Sequence, residues 1–260
     1  MLRLVSVNVN GIRSAAAKGL YAWLARQSAD IICLQELKAH ELDVPAAFSK
    51  GRAFRSFFNC AAKKGYSGVA LLSRKDPVRV TCGFGSREFD AEGRYLQADF
   101  DSVSIASVYF PSGTTSPERQ EAKYRFLDAF HPVMRRLLDS GREVILCGDI
   151  NIAHTPMDLK NWRSNQKNSG FLPEERAWLG GVYDEGWVDV YRRLNPKATD
   201  QGYTWWSSRG RAWANNVGWR IDLQISTPKI ARTAKTAAVY KRRRFSDHAP
   251  LTVDYDWSFR

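Results

Sequence analysis

The chain opens on Leu2, Leu4, Val5, Val7 and Val9, with polar Arg3 and Ser6 between them. Alternation that gives way to a mostly apolar run predicts a strand near the middle of a sheet. That strand ends in Asn8, Asn10 and Gly11. Residues 15–27 place Leu20, Trp23 and Leu24 on one side of a helix, and a second apolar run, Ile31 to Leu34, ends in Gln35, Glu36 and Lys38. Strand candidates follow at 54–60, 68–73, 78–82, 95–100 and 103–110, divided by Gly, Asp and Pro with no helix between them. Such runs form antiparallel meanders, so the sheet is expected to be mixed.

From Ser116 to Asp139 the pattern is helical. Ser116 can cap the helix, Pro117 suits its first turn, and Phe126, Leu127, Phe130, Val133, Met134, Leu137 and Leu138 make one apolar face. Pro132 removes a backbone donor inside the pattern and predicts a kink, while Gly141 ends the helix. The chain then re-enters a buried strand, Val144 to Cys147, which breaks at Gly148 and delivers Asp149, Asn151 and His154 beyond its C-terminal end. Residues 155–170 are too polar for a regular element and read as a long loop. A helix at 173–180, an aromatic-rich segment at 203–219 and strands at 221–226 and 251–255 complete the pattern. The last two strands flank the basic run Lys241 to Arg244 and the tripeptide Ser246, Asp247, His248. No repeat or linker interrupts 260 residues, a length that fits one large domain over 1–260.

Composition changes this picture in two respects. Lys and Arg outnumber Asp and Glu by 39 to 27, a formal charge of +12 that points to a polyanionic partner. The four cysteines show no CxxC spacing, and Cys33 and Cys147 lie inside apolar runs, so neither a disulfide framework nor a zinc site is indicated. The N-terminus enters a strand pattern without the features of a signal peptide, and no apolar run approaches a membrane span. A reduced, cytoplasmic protein is expected.

Several apolar strands thus end in carboxylates or amides: Asn8 and Asn10, Glu36, Asp149 and Asn151, Asp222, then Asp247 with His248. Strands that share a sheet bring such ends to one rim, where loops carry polar groups on a rigid scaffold. Oxygen donors without Cys and with few His favour a hard cation such as Mg²⁺ or Mn²⁺. Hydrolysis of a phosphodiester needs a cation on the phosphate, a base for water and relief of charge on the leaving oxygen, and this set can supply all three.

NVNGIR at 8–13, LQELK at 34–38, YSGVALLSR at 66–74, YFPSG at 109–113, GDINIAH at 148–154, NVGWRID at 216–222 and SDHAP at 246–250 together resemble the exonuclease III family of class II apurinic/apyrimidinic endonucleases. The motifs run in the family's order over nearly the whole chain. The resemblance implies a four-layered α/β sandwich, two mixed β-sheets face to face with helices outside, as in deoxyribonuclease I-like phosphoesterases. It also implies incision of double-stranded DNA on the 5′ side of abasic sites, with activity on blocked 3′ ends, by a monomer that needs Mg²⁺ or Mn²⁺.

Carried over motif by motif, Glu36 is the principal metal ligand, with Asn10 and Asp247 in support. Asn10 stands where some members carry Asp; the amide keeps an oxygen but loses a charge. Asp149 activates or orients water, and Asn8 and Asn151 hold it in register with the phosphate. His248 and Tyr109 contact the scissile phosphate, and Asp222 orients the His248 ring. Trp205, Trp219 and Ile221 match the apolar pocket for the base-free sugar, and Asn165 and Asn168 the amides beside it. Arg13, Lys38, Tyr66, Arg94 and Lys167 are expected to contact DNA phosphates, while His154 receives only a structural role.

Two alternatives stand beside this reading. RYLQADFD at 94–101 and VDYDW at 253–257 resemble the catabolite repression control branch of the family, a regulator that binds without catalysis. A specialised 3′-phosphatase with little abasic incision is the other; the small residues Ser169 and Gly170 near the expected sugar pocket argue against a blocked site.

Overall fold

A computed structural model of the chain describes residues 1–259. Its strands, in chain order, are β1 (Leu2–Asn8), β2 (Ile31–Gln35), β3 (Arg55–Asn59), β4 (Val69–Ser73), β5 (Arg79–Cys82), β6 (Tyr95–Asp99), β7 (Ser104–Tyr109), β8 (Val144–Asp149), β9 (Val188–Asp189), β10 (Trp205–Trp206), β11 (Gly218–Trp219), β12 (Asp222–Ser226), β13 (Ala234–Val239) and β14 (Leu251–Tyr255). The helices are α1 (Ile12–Ala17), α2 (Leu20–Ala25), α3 (Ala46–Ser49), α4 (Pro117–Asp139), α5 (Trp162–Asn165), α6 (Pro173–Asp184), α7 (Val190–Leu194) and α8 (Pro228–Thr233). Two six-stranded sheets form, β13-β14-β1-β2-β4-β3 and β5-β6-β7-β8-β12-β9, with a two-stranded ribbon of β10 and β11 beside them. Among the described residues only β1/β2 and β7/β8 pair in parallel, so both large sheets are mixed.

The period of two along each strand builds the layers. Leu2 and Leu4 of β1, Ile31 and Cys33 of β2, Ile105 of β7, and Ile145 and Cys147 of β8 pack together between the sheets. The intervening Val5, Val7, Ile32 and Leu34 face outward and are covered by Ile12, Leu20, Trp23, Leu24 and Phe48. On the other flank Ala106, Val108, Val144 and Leu146 meet Phe126, Phe130, Val133, Met134 and Leu179 from α4 and α6. The result is a four-layered α/β sandwich.

Followed toward the C-terminal ends of β1, β2, β7 and β8, the inner faces change character. After the apolar residues come Ser6, Gln35 and Ser107, all buried and tied together: Gln35 Nε2 donates to Ser107 Oγ at 2.9 Å, and Ser107 Oγ donates to the Leu34 carbonyl at 3.0 Å. Most buried polar groups in folded proteins have hydrogen-bond partners. One residue pair further on, the same faces present Asn8, Tyr109 and Asp149.

Several elements depart from expectation. The segment 15–27 is two short helices, because Gly19 turns the chain through a left-handed φ of 86° between them. Residues 155–170 include a 3-10 turn at Pro156–Asp158, closed by reciprocal hydrogen bonds between Thr155 and Asp158, and the short α5. The helix expected at 173–180 extends to Asp184. The meander divides between the sheets, β3 and β4 joining one and β5, β6 and β7 the other. β13 carries no alternating apolar signal in its exposed half, yet pairs with β14 as an edge strand.

Candidate functional site

Register brings the expected groups together. Tyr109 lies beside Asp149 on adjoining strands, and Asp222, the first residue of antiparallel β12, lies across from Asp149 on its other side. Gly148 permits this junction: a Cβ there would stand 1.8 Å from the Val108 carbonyl oxygen of β7. Asn8 reaches across from the other sheet and donates from Nδ2 to Asp149 Oδ2 at 2.9 Å. The Asn151 amide N–H donates to Asp149 Oδ1 at 2.9 Å, and its Nδ2 to the Phe110 carbonyl at 2.9 Å. Asp149 is 2% exposed, so both its oxygens are fixed in a dry setting.

His248 closes the arrangement. Its Nδ1 shares a hydrogen bond of 2.8 Å with Asp222 Oδ2, and its Nε2 lies 3.8 Å from Asp149 Oδ2. Burial opposes charge on the ring, but Asp222 and Asp149 outweigh it and push the His248 pKa up to about 10. Burial pushes Asp149 in the same direction, to about 7, aided by Asp222 and resisted by His248, Asn8 and Asn151. The pair therefore combines an imidazolium with a carboxyl group that titrates near neutrality.

A second oxygen cluster sits beside it. Glu36 Oε1 lies 2.8 Å from the Lys38 ammonium, which also donates to Asn10 Oδ1 at 2.5 Å. Asn10 Nδ2 donates to Asp247 Oδ1 at 2.9 Å, and Trp205 Nε1 to Asp247 Oδ2 at 3.2 Å. The Glu36 and Asn10 oxygens thus already gather round a positive charge, and their chemistry fits a hard divalent cation. Asp149, Asp222 and His248 also offer ligand atoms within 4.8 Å of one another, but the Asp222–His248 hydrogen bond engages two of these groups with each other.

These groups open on a cleft of about 1070 Å³, lined by Asn10, Glu36, Tyr109, Asp149 and His248 together with Asn165, Asn168, Trp205, Trp219 and Ile221. Trp205 and Trp219 meet edge to face at 6.2 Å, and the ribbon that carries them is pinned to the His248 segment by the Trp206 N–H to Asp247 carbonyl bond. Lys160, Lys167 and Arg209 add positive charge to the wall. Arg13 is exposed, and Tyr66 is half-buried.

Arg94 is a correction. Expected on the surface, it is 2% exposed: Nη1 donates to the Tyr109 carbonyl at 3.1 Å, Nη2 to the Tyr66 hydroxyl at 2.8 Å, and Nε pairs with Glu92. It braces Tyr109, and with all three guanidinium nitrogens engaged it has little surface to offer a phosphate. The Arg119 guanidinium also lies over the Tyr66 ring, 5.3 Å from its centroid, and is less buried than Arg94.

Sequence reasoning also missed Lys123 and Glu175, a pair at 2.6 Å with both side chains fully buried. Lys123 Nζ donates to the Asn151 carbonyl at 2.7 Å, while Glu175 accepts from the amides of Gly170 at 2.6 Å and Leu172 at 3.1 Å. The pair therefore holds the turn after β8 and the loop under the aromatic wall. The signal was present, since Lys123 precedes Phe126, Leu127 and Phe130 at helical spacing on the apolar face. His154 lies outside the cleft and lines a separate cavity.

Residues 5–248 match the model of the Endonuclease/Exonuclease/phosphatase family. An exodeoxyribonuclease of Bacillus subtilis (strain 168) is 36% identical over 253 residues, covering 97% of this chain and 98% of its own. The structure of an AP endonuclease from Archaeoglobus fulgidus superposes with a TM-score of 0.89 at 27% identity, over 99% of this chain and 100% of that one. The 3′ phosphatase NExo from Neisseria, bound to a product DNA hairpin, superposes with a TM-score of 0.87 at 27% identity, over 99% and 100%.

Proposed function

The chain belongs to the Endonuclease/Exonuclease/phosphatase family, and on that premise we propose that it is a DNA-repair phosphodiesterase that incises duplex DNA 5′ to abasic sites and also processes blocked 3′ ends. One observation carries the reading: a buried carboxylate held by Asn8 and Asn151 stands beside an Asp222-paired histidine at the mouth of an aromatic-walled cleft. A regulator that only binds has no use for this costly buried network.

In the proposed mechanism Asp149, in its ionised form, takes a proton from water as the water oxygen attacks phosphorus. Asn8 and Asn151 fix which carboxylate oxygen faces the water. The His248 imidazolium, oriented by Asp222, and the Tyr109 hydroxyl, kept protonated by burial, donate to the phosphate oxygens. The P–O3′ bond breaks, and the leaving O3′ takes a proton from solvent to become the 3′-hydroxyl. Glu36, Asn10 and Asp247 would hold the cation, Mg²⁺ or Mn²⁺, which when bound neutralises phosphate charge as a Lewis acid. Trp205, Trp219 and Ile221 accept a sugar that has lost its base, with Asn165 and Asn168 beside it. Arg13, Lys38, Tyr66, Arg119 and Lys167 serve phosphates along the strand, without reading sequence.

The protein acts, on this reading, as a cytoplasmic monomer; among the described residues no helix is long and apolar enough to cross a membrane. The likeness to NExo favours one second reading, in which 3′-phosphatase activity exceeds abasic incision. A single assay separates them: duplexes with an abasic analogue, a 3′-phosphate or neither, in Mg²⁺ or EDTA, with Asp149→Asn as control. Cleavage at the abasic site that EDTA and Asp149→Asn abolish is expected. No turnover of any substrate alongside intact DNA binding would overturn the enzymatic reading.

A further inference from the structure

The basic run Lys241 to Arg244 has no part in the chemistry above, yet it leads through Phe245 directly into the Ser246–His248 segment of the site. Four adjacent cations repel one another, and among the described residues none of the four forms an ion pair. Carboxylates therefore do not hold the run in place.

Aromatic rings hold its two ends instead. Lys241 Nζ lies 5.1 Å from the centroid of the Trp206 ring and donates to the Asp200 carbonyl at 2.6 Å. Arg244 lies over Trp213 at 5.3 Å and donates from Nε to the Ser246 carbonyl at 3.2 Å. Trp206 and Trp213 meet edge to face at 4.4 Å, so cation, ring, ring and cation follow one another in a ladder. Ring faces attract cations without neutralising them. The charge of the run is fixed in position and left uncompensated.

The middle of the run is exposed at Arg242 and Arg243. Arg243 lies against the turn between α1 and α2, where a Cβ on Gly19 would stand 3.0 Å from its Nη2. Lys18 precedes that turn and Arg13 lies at the start of α1, both exposed. The segments on either side of the run both reach the cleft. Arg209 and Ala212, on the loop that joins β10 to β11 and carries Trp213, line it, and so does Asn10, which leads into α1 and donates to Asp247. The run thus spans from that loop to α1 beside the cleft. A duplex carries one negative charge per about 1.7 Å of its axis, and the guanidinium fork matches phosphate geometry. A polyanion seated in the cleft and continuing past it meets this row of charge.

We propose that Arg242 and Arg243 contact backbone phosphates of duplex DNA outside the cleft, presented by Lys241 and Arg244 as their anchors. The proposal rests on the nuclease reading and extends its footprint along one arm of the duplex. Binding is read by fluorescence anisotropy on a labelled duplex with a central abasic analogue, in EDTA, with Asp149→Asn in every protein so that no strand is cut. We expect Arg242→Gln/Arg243→Gln to reduce the log–log salt slope by about two and Arg242→Lys/Arg243→Lys to preserve it. The loss of affinity should vanish when one arm of the duplex, and only that arm, is shortened. With Asp149 restored, the glutamine variant should raise KM at an unchanged kcat. An unchanged slope would leave the run to solvent or to an acidic protein partner, and a loss that persists whichever arm is shortened would mean a diffuse field of charge; each overturns the proposal. Either result in a parent protein that still incises abasic DNA leaves the nuclease reading standing, whereas a parent that neither binds nor incises would sink both.

Discussion

Asn8→Ala tests the tuning of Asp149. The Asn8 side chain is fully buried and donates to Asp149 Oδ2 at 2.9 Å, a bond that stabilises the ionised carboxylate and so lowers its pKa. Hydrogen bonds to a charged group contribute about 1.5–3 kcal/mol, which at 1.36 kcal/mol per unit is about one to two pKa units. Burial already holds Asp149 at about 7, so loss of the bond moves it further up. A base must be ionised to act. At neutral pH, where half of Asp149 is already protonated, the variant should therefore lose about five- to fiftyfold in kcat/KM and recover much of it as the pH is raised, with the acid limb displaced upward. The assay is kcat/KM for an abasic duplex across the neutral and alkaline range. Asn8 Oδ1 also accepts the Asn10 amide at 2.9 Å, and disturbance there would lower the rate at every pH. A uniform loss with an unmoved acid limb would refute the assignment of Asp149 as the base.

Gly170→Ala builds a Cβ 3.2 Å from both the Asn151 carbonyl and Trp219 Cζ3, at a φ of 93°, and should reduce abasic incision about tenfold or more relative to 3′-phosphate removal; equal losses on both substrates would show that the pocket does not discriminate. Arg94→Met should lower kcat by unbracing Tyr109 while leaving the salt dependence of DNA binding unchanged, whereas Lys167→Ala should reduce the log–log salt slope by about one. Asp158→Asn breaks a buried pair with Arg220 and should cost about 3–5 kcal/mol in chemical denaturation at neutral pH. Burial opposes the Asp158 charge, but Arg220 and Arg192 hold its pKa well below the ordinary 3.8. Its contribution is thus present above that value, and the difference between the proteins should shrink as pH falls below it.

How far the sequence discloses these groups depends on the kind of information each one needs. Strands β1, β2, β7, β8 and β12 follow from alternation and from polar punctuation, and the parity of β1 already sets Leu2, Leu4, Ser6 and Asn8 on one face. Parity does not say which strand pairs with which, so the division of the meander between two sheets is settled only by long-range packing. β13 escapes because Lys235, Thr236 and Ala238 face solvent along an edge, where ladder bonds to β14 replace apolar burial. Arg94 misleads for a related reason: a basic residue reads as surface, and only the tertiary position of Tyr66, Glu92 and Tyr109 supplies partners that let it be buried. Most of the cleft residues were legible because strand ends are local features. The Lys123–Glu175 brace joins two helices 52 residues apart, and one polar residue on an apolar stripe does not name its partner.

The turns at the rim explain why the site is held in place before substrate arrives. Asn10, Glu36, Lys38 and Asn151, none of them glycine, adopt left-handed φ values of 41°, 59°, 50° and 55°. Each such residue costs about 1–3 kcal/mol and persists only where its surroundings over-determine it. Here every turn has a dedicated partner. Asn8 Oδ1 accepts the Asn10 amide at 2.9 Å, the Glu36 carbonyl accepts the Gly11 amide at 2.9 Å, the Ser67 carbonyl accepts the Lys38 amide at 2.9 Å, and Asp149 Oδ1 and Lys123 hold the two sides of Asn151. At Asn10 and Asn151 the hydrogen bonds that offset the strain come from the Asn8 and Asp149 side chains of the site itself, whereas at Glu36 and Lys38 they run between backbone groups. A substitution that relieves the turn at Asn10 or Asn151 must release one of these side chains, which ties the stability of the rim to its chemistry.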